Sequence, residues 1–354
     1  MKKSNFVFIF TFILLIVFHF GQAESLAKGA SDTRVNIQIV SDEADAVLKI
    51  LEKGEKGEKI IEADWQNVFQ SEGYIRLKKR EHSMSRSFED ADFKTFALSD
   101  DLFKRRQDLA ATLAKWKETD ANHAGEMALA YLPQNAQIRA KVYPVIKPKD
   151  NSFVFEVREN PAIFLYLDPQ VTKEQFENTL AHELHHIGFG SACPTQKTEE
   201  EIKQLSPNMQ KVLKWTGAFG EGFAVLAAAG GADVHPHKFS PPEEKTRWDK
   251  DVANFNSDLK TVEKFFLDLA DGKLSEDAEI QQVRSFYGEQ GAWYTVGWQM
   301  AVVIEKTFGR EKLIEIMCDQ RKLLQTYNKA IQEYNRRNKT QLASWSKELT
   351  GKYR

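Results

Sequence analysis

Thr172-Lys173-Glu174-Gln175-Phe176-Glu177-Asn178-Thr179-Leu180-Ala181-His182-Glu183-Leu184-His185-His186-Ile187-Gly188-Phe189-Gly190 is the stretch on which the reading of this chain turns. Thr172 and Gln175 form a capping-box pair shortly after Pro169, a helix-start signal. Phe176, Leu180, Leu184 and Ile187 recur at helical spacing and are expected to face the core, and Gly188 and Gly190 supply a stop. The spacing predicts an amphipathic helix of about four turns, with His182–His186 in its last turns. Residues four apart on a helix point the same way. His182 and His186 therefore present two imidazoles to one ion, and Glu183 lies close enough to meet a water on it. Zinc suits two imidazoles plus a carboxylate, and an open fourth position holds a water whose acidity the metal raises. The pattern H-E-x-x-H thus points to a metal site and to hydrolysis. His185 stands where zinc peptidases usually carry an uncharged residue; it either packs and hydrogen-bonds or competes as a ligand.

A third ligand is sought further along. Glu221 is the one charged residue in Ala218-Phe219-Gly220-Glu221-Gly222-Phe223-Ala224-Val225-Leu226-Ala227-Ala228-Ala229-Gly230-Gly231. On a helix it shares its face with Ala224, Val225 and Ala228, small enough to let another helix approach. A lone carboxylate buried there costs several kcal/mol unless it is paired or metal-bound. The alternative is a glutamate at an exposed helix N-terminus, favoured by the helix dipole. His235 and His237, around Pro236, are substitute ligands, and Cys193, one short loop after the metal helix, is another.

The set H-E-L-H-H, then E-G-F-A, then Y-T-V-G-W-Q-M-A-V-V-I-E resembles the gluzincins, the thermolysin-like branch of zinc peptidases. It is similar in particular to a bacterial family of uncharacterised zinc-dependent peptidases, from the Asp64-Trp65 region to the C-terminus. The resemblance implies a zincin-like fold, His182, His186 and Glu221 as ligands of one Zn2+, and Glu183 as general base and then acid. Two features depart from thermolysin: the gap from His186 to Glu221 is longer, and Val225 stands where an Asp often orients a histidine. The metzincin pattern fails, because it needs Gly and His at the positions of Phe189 and Ala192.

The first residues read as an export signal, with Lys2 and Lys3 ahead of an apolar run from Phe6 to Phe20 and the small-residue site Gly21-Gln22-Ala23 before Glu24. The run is short of the roughly 20 residues that span a bilayer, so cleavage is expected, with a retained anchor as the alternative. The enzyme is then periplasmic or extracellular, with no stable membrane insertion. A net charge of −2 argues against nucleic acid as a partner. Cys193 and Cys318 can pair in an exported protein, although two cysteines make no disulfide framework.

Three parts are expected: a leader over residues 1–23, a charged helical region over 24–122 packed on the catalytic part, and a catalytic region over 123–354. Ala44–Leu51 and Leu102–Trp116 carry helical periodicity, and Lys53–Lys59 and Lys79–Glu89 read as exposed connections. Ala140–Ile146, Phe153–Val157 and Ala162–Leu167 read as strands of a small sheet just before the metal helix. Beyond Gly190, Lys211–Trp215, Phe223–Ala229, Trp248–Leu269, Trp293–Phe308 and Glu311–Tyr334 read as helices. The class is α+β, predominantly helical. In Gly291-Ala292-Trp293-Tyr294-Thr295-Val296-Gly297-Trp298, Tyr294 is either an oxyanion donor or part of an aromatic core stripe, and Tyr287 is the fallback donor. The functional reading is an exported zinc metallohydrolase acting on peptides or proteins, with the strand Ala162–Leu167 offering an edge for an extended peptide by analogy with other zincins. The alternatives are hydrolysis of a non-peptide amide or ester, and a catalytically idle metal-binding or interaction module.

Overall fold

Three parallel strands and one antiparallel strand form the sheet on which the helix carrying the H-E-x-x-H motif packs. The computed structural model describes residues 34–353 except 158, 289 and 290, so the expected leader over 1–23 lies outside the described residues. The strands β1 (Val35–Ile39), β2 (Ile138–Val145), β3 (Phe153–Phe155) and β4 (Ala162–Tyr166) stand in the order β1-β2-β4-β3. Val35 pairs with Ile138 and Lys141 with Ala162 in the parallel ladders, and Phe153 lies opposite Phe164 in the antiparallel one. Alternation along β2 sends Ile138 and Val142 into the main core, with Ile163 and Leu165 of β4. Tyr143 and Val145 point the other way, into a smaller cluster with Phe153, Phe164 and Leu77.

β4 is an interior strand, bonded to β2 on one side and β3 on the other. The expectation that it offers a free edge to a peptide is therefore corrected, because its backbone donors and acceptors are already paired in the sheet. β1 is a strand inside the region expected to be helical. Its alternation Val-Asn-Ile-Gln-Ile is five residues long and only half apolar, so it becomes legible only once β2 lies beside it.

Helices α1 (Asp42–Glu55), α2 (Glu62–Phe69), α3 (Glu72–Ser83), α4 (Asp90–Ala97), α5 (Asp100–Lys117) and α6 (Ala121–Leu129) fill the N-terminal part. The expected connection at Lys79–Glu89 is in its first half the end of α3. Arg80 and Glu81 are buried there, paired at 2.6 Å, with Arg80 over the Phe153 ring. After the sheet come α7 (Lys173–Ala192), α8 (Gln196–Lys203), α9 (Pro207–Thr216), a 3-10 turn (Gly217–Phe219) and α10 (Gly220–Ala229). They are followed by α11 (Pro242–Ala253), α12 (Phe255–Ala270), α13 (Glu276–Tyr287), α14 (Ala292–Phe308), α15 (Arg310–Met317), α16 (Gln320–Asn338) and α17 (Lys347–Gly351). Two expected helices are each split in two, at Asn254 and at Cys318-Asp319. Asn254 has φ −83° and ψ 2°, a bend that leaves the apolar spacing of Trp248, Phe255 and Leu259 intact and is invisible to periodicity. The chain is α+β and mainly helical. Among the described residues, no helix is long and apolar enough to cross a membrane.

Candidate metal centre

The metal helix begins as its sequence predicts. Thr172 Oγ1 accepts from Gln175 N at 3.2 Å and Gln175 Oε1 accepts from Thr172 N at 2.9 Å, closing the capping box. Phe176 stacks on Trp116 of α5 with ring centroids 4.4 Å apart, anchoring the first turn. The expected stop at Gly188 and Gly190 does not occur, and α7 runs on to Ala192. Gly188 serves packing instead: a Cβ there would lie 2.4 Å from Leu132 Cδ1 and 2.9 Å from Ile138 Cγ1.

Asn178, His182 and His186 form one stripe of α7, each a turn after the last. The stripe faces α10. Asn178 Nδ2 donates to Ala228 O at 2.8 Å near the C-terminal end of α10, while both histidines reach Glu221 in its first turn. The two helices thus run antiparallel, clipped at one end by an amide and meeting at the other through the ligand set. Sequence reasoning missed Asn178, whose role shows only once the Ala228 carbonyl stands opposite it.

α14 closes the third side. A Cβ on Gly222 would lie 2.0 Å from Trp298 N and 2.5 Å from Tyr294 O, and one on Gly297 would lie 2.6 Å from Phe219 O. Only glycine lets the two backbones cross this closely. The crossing brings Tyr294 over the site, its ring stacked on His182 at 6.4 Å between centroids.

The ligand atoms converge. His182 Nε2 and His186 Nε2 are 3.1 Å apart, and Glu221 Oε2 lies 3.2 Å and 3.3 Å from them. Ligands about 2.0 Å from a tetrahedral zinc stand about 3.3 Å from one another. The three atoms therefore match one face of such a tetrahedron, and the donor set of two imidazoles and one carboxylate fits zinc. Among the described residues, this is the one group of three or more His, Cys, Asp or Glu side chains whose ligand atoms meet this way. Burial disfavours charge on Glu221, but His186 and His182 outweigh it and hold the carboxyl well below its ordinary range.

Around the triad, Glu183 is 2% exposed. Burial raises its pKa against the opposing pull of His182 and His186. His185 is buried on another face of α7, beside the Tyr131 backbone; burial pushes its pKa down to about 3, leaving a neutral packing group. The Tyr294 hydroxyl is also buried, beside the Glu221 carboxylate. Burial raises its pKa well above the ordinary value, and Glu221 and Glu183 add to the shift, so the phenol stays a donor. Tyr287 stands behind it, ring centroids 6.5 Å apart.

The substitute ligands lie elsewhere. His235 Nε2 meets Asp249 at 2.9 Å, and His237 Nδ1 meets Ser240 Oγ at 3.0 Å. Cys193 is bonded to Cys318 and carries no free thiolate for a metal. Val225, where thermolysin-like enzymes often place an Asp, brings no carboxylate to the histidines.

No curated protein and no solved structure matches the chain. Residues 39–336 match the family described as "Putative zinc dependent peptidase (DUF5700)", a span that takes in β2 to β4, the capped metal helix, Glu221 and Tyr294. With most of its length and the converging side chains of His182, His186 and Glu221 inside that match, the chain belongs to the family so described.

Proposed function

We propose that the protein is an exported metallopeptidase holding one Zn2+ on His182, His186 and Glu221 and cleaving peptide bonds with Glu183 as general base. The observation that carries the reading is the convergence of a buried glutamate from a distant helix on the H-E-x-x-H pair at 3.1–3.3 Å. Zinc bound there supplies a Lewis acid for the scissile carbonyl and acidifies a water. Glu183 takes the proton of the attacking water as its oxygen adds to the carbonyl carbon, then passes it to the departing amine nitrogen as the C–N bond breaks. Tyr294 donates its O–H to the charge developing on the carbonyl oxygen. Asn178 positions α10, and through it Glu221, against α7.

Export is supported by the basic start and apolar run of residues 2–20 and by the Cys193–Cys318 bridge, which suits an oxidising compartment. Retention of Glu183 beside the ligands favours catalysis over an idle binding role, since a binding module needs the ligands but not the base. Digestion of a peptide library by wild type and Glu183→Gln tests the reading. The wild type is expected to cleave with about one zinc bound per chain, and Glu183→Gln to keep the zinc while losing several orders of magnitude in turnover. His182→Ala is expected to lose the metal. Undiminished cleavage by Glu183→Gln would remove it from the mechanism, and equal zinc in His182→Ala would dissolve the site.

A further inference from the structure

Gly188 and Gly190 both stand in the last turns of α7, and packing requires only the first. Gly188 is pressed against Leu132 and Ile138. A Cβ on Gly190, its own helix backbone aside, would meet a single heavy atom among the described residues, Val157 Cγ1 at 3.6 Å. That separation is ordinary van der Waals contact. The backbone at Gly190 is helical with no positive φ, so its conformation does not call for glycine either. Glycine inside a helix is less favourable than alanine. Neither packing nor backbone therefore accounts for the bare position.

Its location beside the metal centre does account for it. Gly190 follows His186 by one helical turn, as His186 follows His182. Each Cα–Cβ bond of a helix tilts towards the N-terminus, so a side chain at 190 would lean over His186. α10 runs antiparallel to α7, and its first turn already stands opposite His182 and His186. The face of α7 beyond His186 therefore lies past the start of α10. Val157, in the turn after β3, borders it instead. Gly190 and Val157 are both partly exposed, and the His182 and His186 side chains are 12% and 15% exposed, so the centre and the ground beside it are reachable from solvent.

Val157 is held in place as an apolar wall. Glu156, just before it, has φ 51°, a left-handed value unusual for a residue with a side chain. Its carboxylate is gripped from α3 by Arg76 at 2.8 Å and by Lys79, and Arg76 also donates to Asn160 O across the turn. The Glu156 carbonyl accepts from Glu159 N at 3.2 Å and from Asn160 N at 3.1 Å. The charge next to Val157 is thus drawn to α3 and paired there. We propose that Gly190 and Val157 frame a subsite for a large apolar side chain of the substrate, on a residue flanking the bond cleaved at the metal. The subsite works by burying apolar surface against Val157 over a floor that glycine keeps clear. The identity of the ligand as a peptide rests on the peptidase reading.

Calorimetric titration of the full, zinc-loaded protein with two hydroxamates tests the subsite without turnover. Acetohydroxamate and 3-phenylpropanohydroxamate share a zinc-chelating head and differ in the apolar group attached to it. The wild type is expected to bind the phenyl compound at least about tenfold tighter. In Gly190→Leu the new side chain occupies the space, and the ratio is expected to fall below about threefold. Val157→Ser is expected to lower it several-fold by removing the apolar wall. Gly190→Ala is expected to melt at or above the wild-type temperature, because alanine favours the helix and meets no clash. Equal affinity of the two compounds for wild type, or an undiminished ratio in Gly190→Leu or Val157→Ser where these hold zinc, overturns the proposal. So does a Gly190→Ala melt several degrees lower, which would make the glycine a packing requirement. The peptidase reading fails separately, if the wild type discriminates between the hydroxamates yet cleaves no member of a peptide library. Where the library is cleaved, preference for Leu, Phe or Met over Ala at one position flanking the scissile bond is expected to drop at least about tenfold in Gly190→Leu. A wild-type chain that takes up no zinc overturns both.

Discussion

Beside the triad lies a buried phenol, the side chain of Tyr294. His182, His186 and Glu221 satisfy one another in position, and the Tyr294 phenol is buried beside them, next to the Glu221 carboxylate. Tyr294→Phe keeps the ring that stacks on His182 and is expected to retain zinc, lowering kcat by about 10²–10³ with little change in KM. An unchanged kcat would return Tyr294 to the aromatic core. This residue was legible because the Gly291–Trp298 segment is conspicuously aromatic and small. Asn178 was not, since a polar residue on a helix has no distinctive reading until the carbonyl of Ala228 stands opposite it. Another residue invisible to sequence is Glu43, 1% exposed, whose Oε2 accepts from Ile146 N at 3.0 Å. Burial pushes its pKa up to about 8, against the Ile146 N–H and Lys147. The folded state thus holds this proton more tightly than the unfolded chain, and the stability it contributes falls as pH rises from the ordinary carboxyl range towards 8. Glu43→Gln keeps an acceptor for Ile146 and removes the titration. Thermal melts are expected to be closest at or below pH 5, with the variant ahead on the order of a few kcal/mol at pH 8.5. Lys147, pushed by burial down to about 7, gains in the opposite sense as pH rises, and because it is present in both proteins its own drift largely drops out of the difference. A pH-independent difference would show that Glu43 titrates normally.

Among the elements, the crossing of α10 over α14 fixes where Glu221 and Tyr294 meet α7. Its requirement is the absence of a side chain at Gly222 and Gly297. Gly222→Ala places a methyl 2.0 Å from Trp298 N, backbone that cannot swing aside. It is expected to cost about 1–3 kcal/mol or more and to weaken zinc binding through the neighbouring Glu221. Gly220→Ala is the control, since a Cβ there meets nothing within 4 Å on a helical backbone. Thermal melts and zinc titration of the two variants check this, and equal behaviour would mean that the helices are not in close contact. The small residues of this segment foretold a close approach, and the metal helix and three strands were readable from capping and β-branched runs. Elements whose signal lies in a partner were not readable. β1 depends on β2 for its apolar neighbours, the end of α3 hides Arg80 and Glu81 as an ion pair beneath a charged sequence, and the break at Asn254 leaves periodicity unaltered.

Across the whole molecule, a bond between Cys193 and Cys318 ties the end of the metal helix to the end of α15 over a sequence separation of 125. Two cysteines in a long chain announce no framework, and nothing in their spacing says that their Cα atoms come to 4.9 Å. Pairing is a property of the assembled fold, in which α14 lies against α10 and carries α15 with it. Closing a loop of this length removes unfolded-state entropy worth up to about 5 kcal/mol, and measured effects are commonly about 2–4 kcal/mol. The bridge is therefore expected to act on stability and not on the arrangement of the triad, which capping, the Asn178 clip and the glycine crossing already hold. The double variant Cys193→Ser, Cys318→Ser is expected to melt several degrees lower than the wild type while binding zinc with the same stoichiometry at 25 °C. Reductant should lower the wild-type midpoint towards that of the variant and leave the variant unmoved. Identical midpoints with and without reductant would show that the bridge contributes nothing to the folded state. Loss of zinc in the double variant at low temperature would show instead that the metal helix depends on its C-terminal tether, and that the packing of α7 on α10 is too weak to hold the ligands alone.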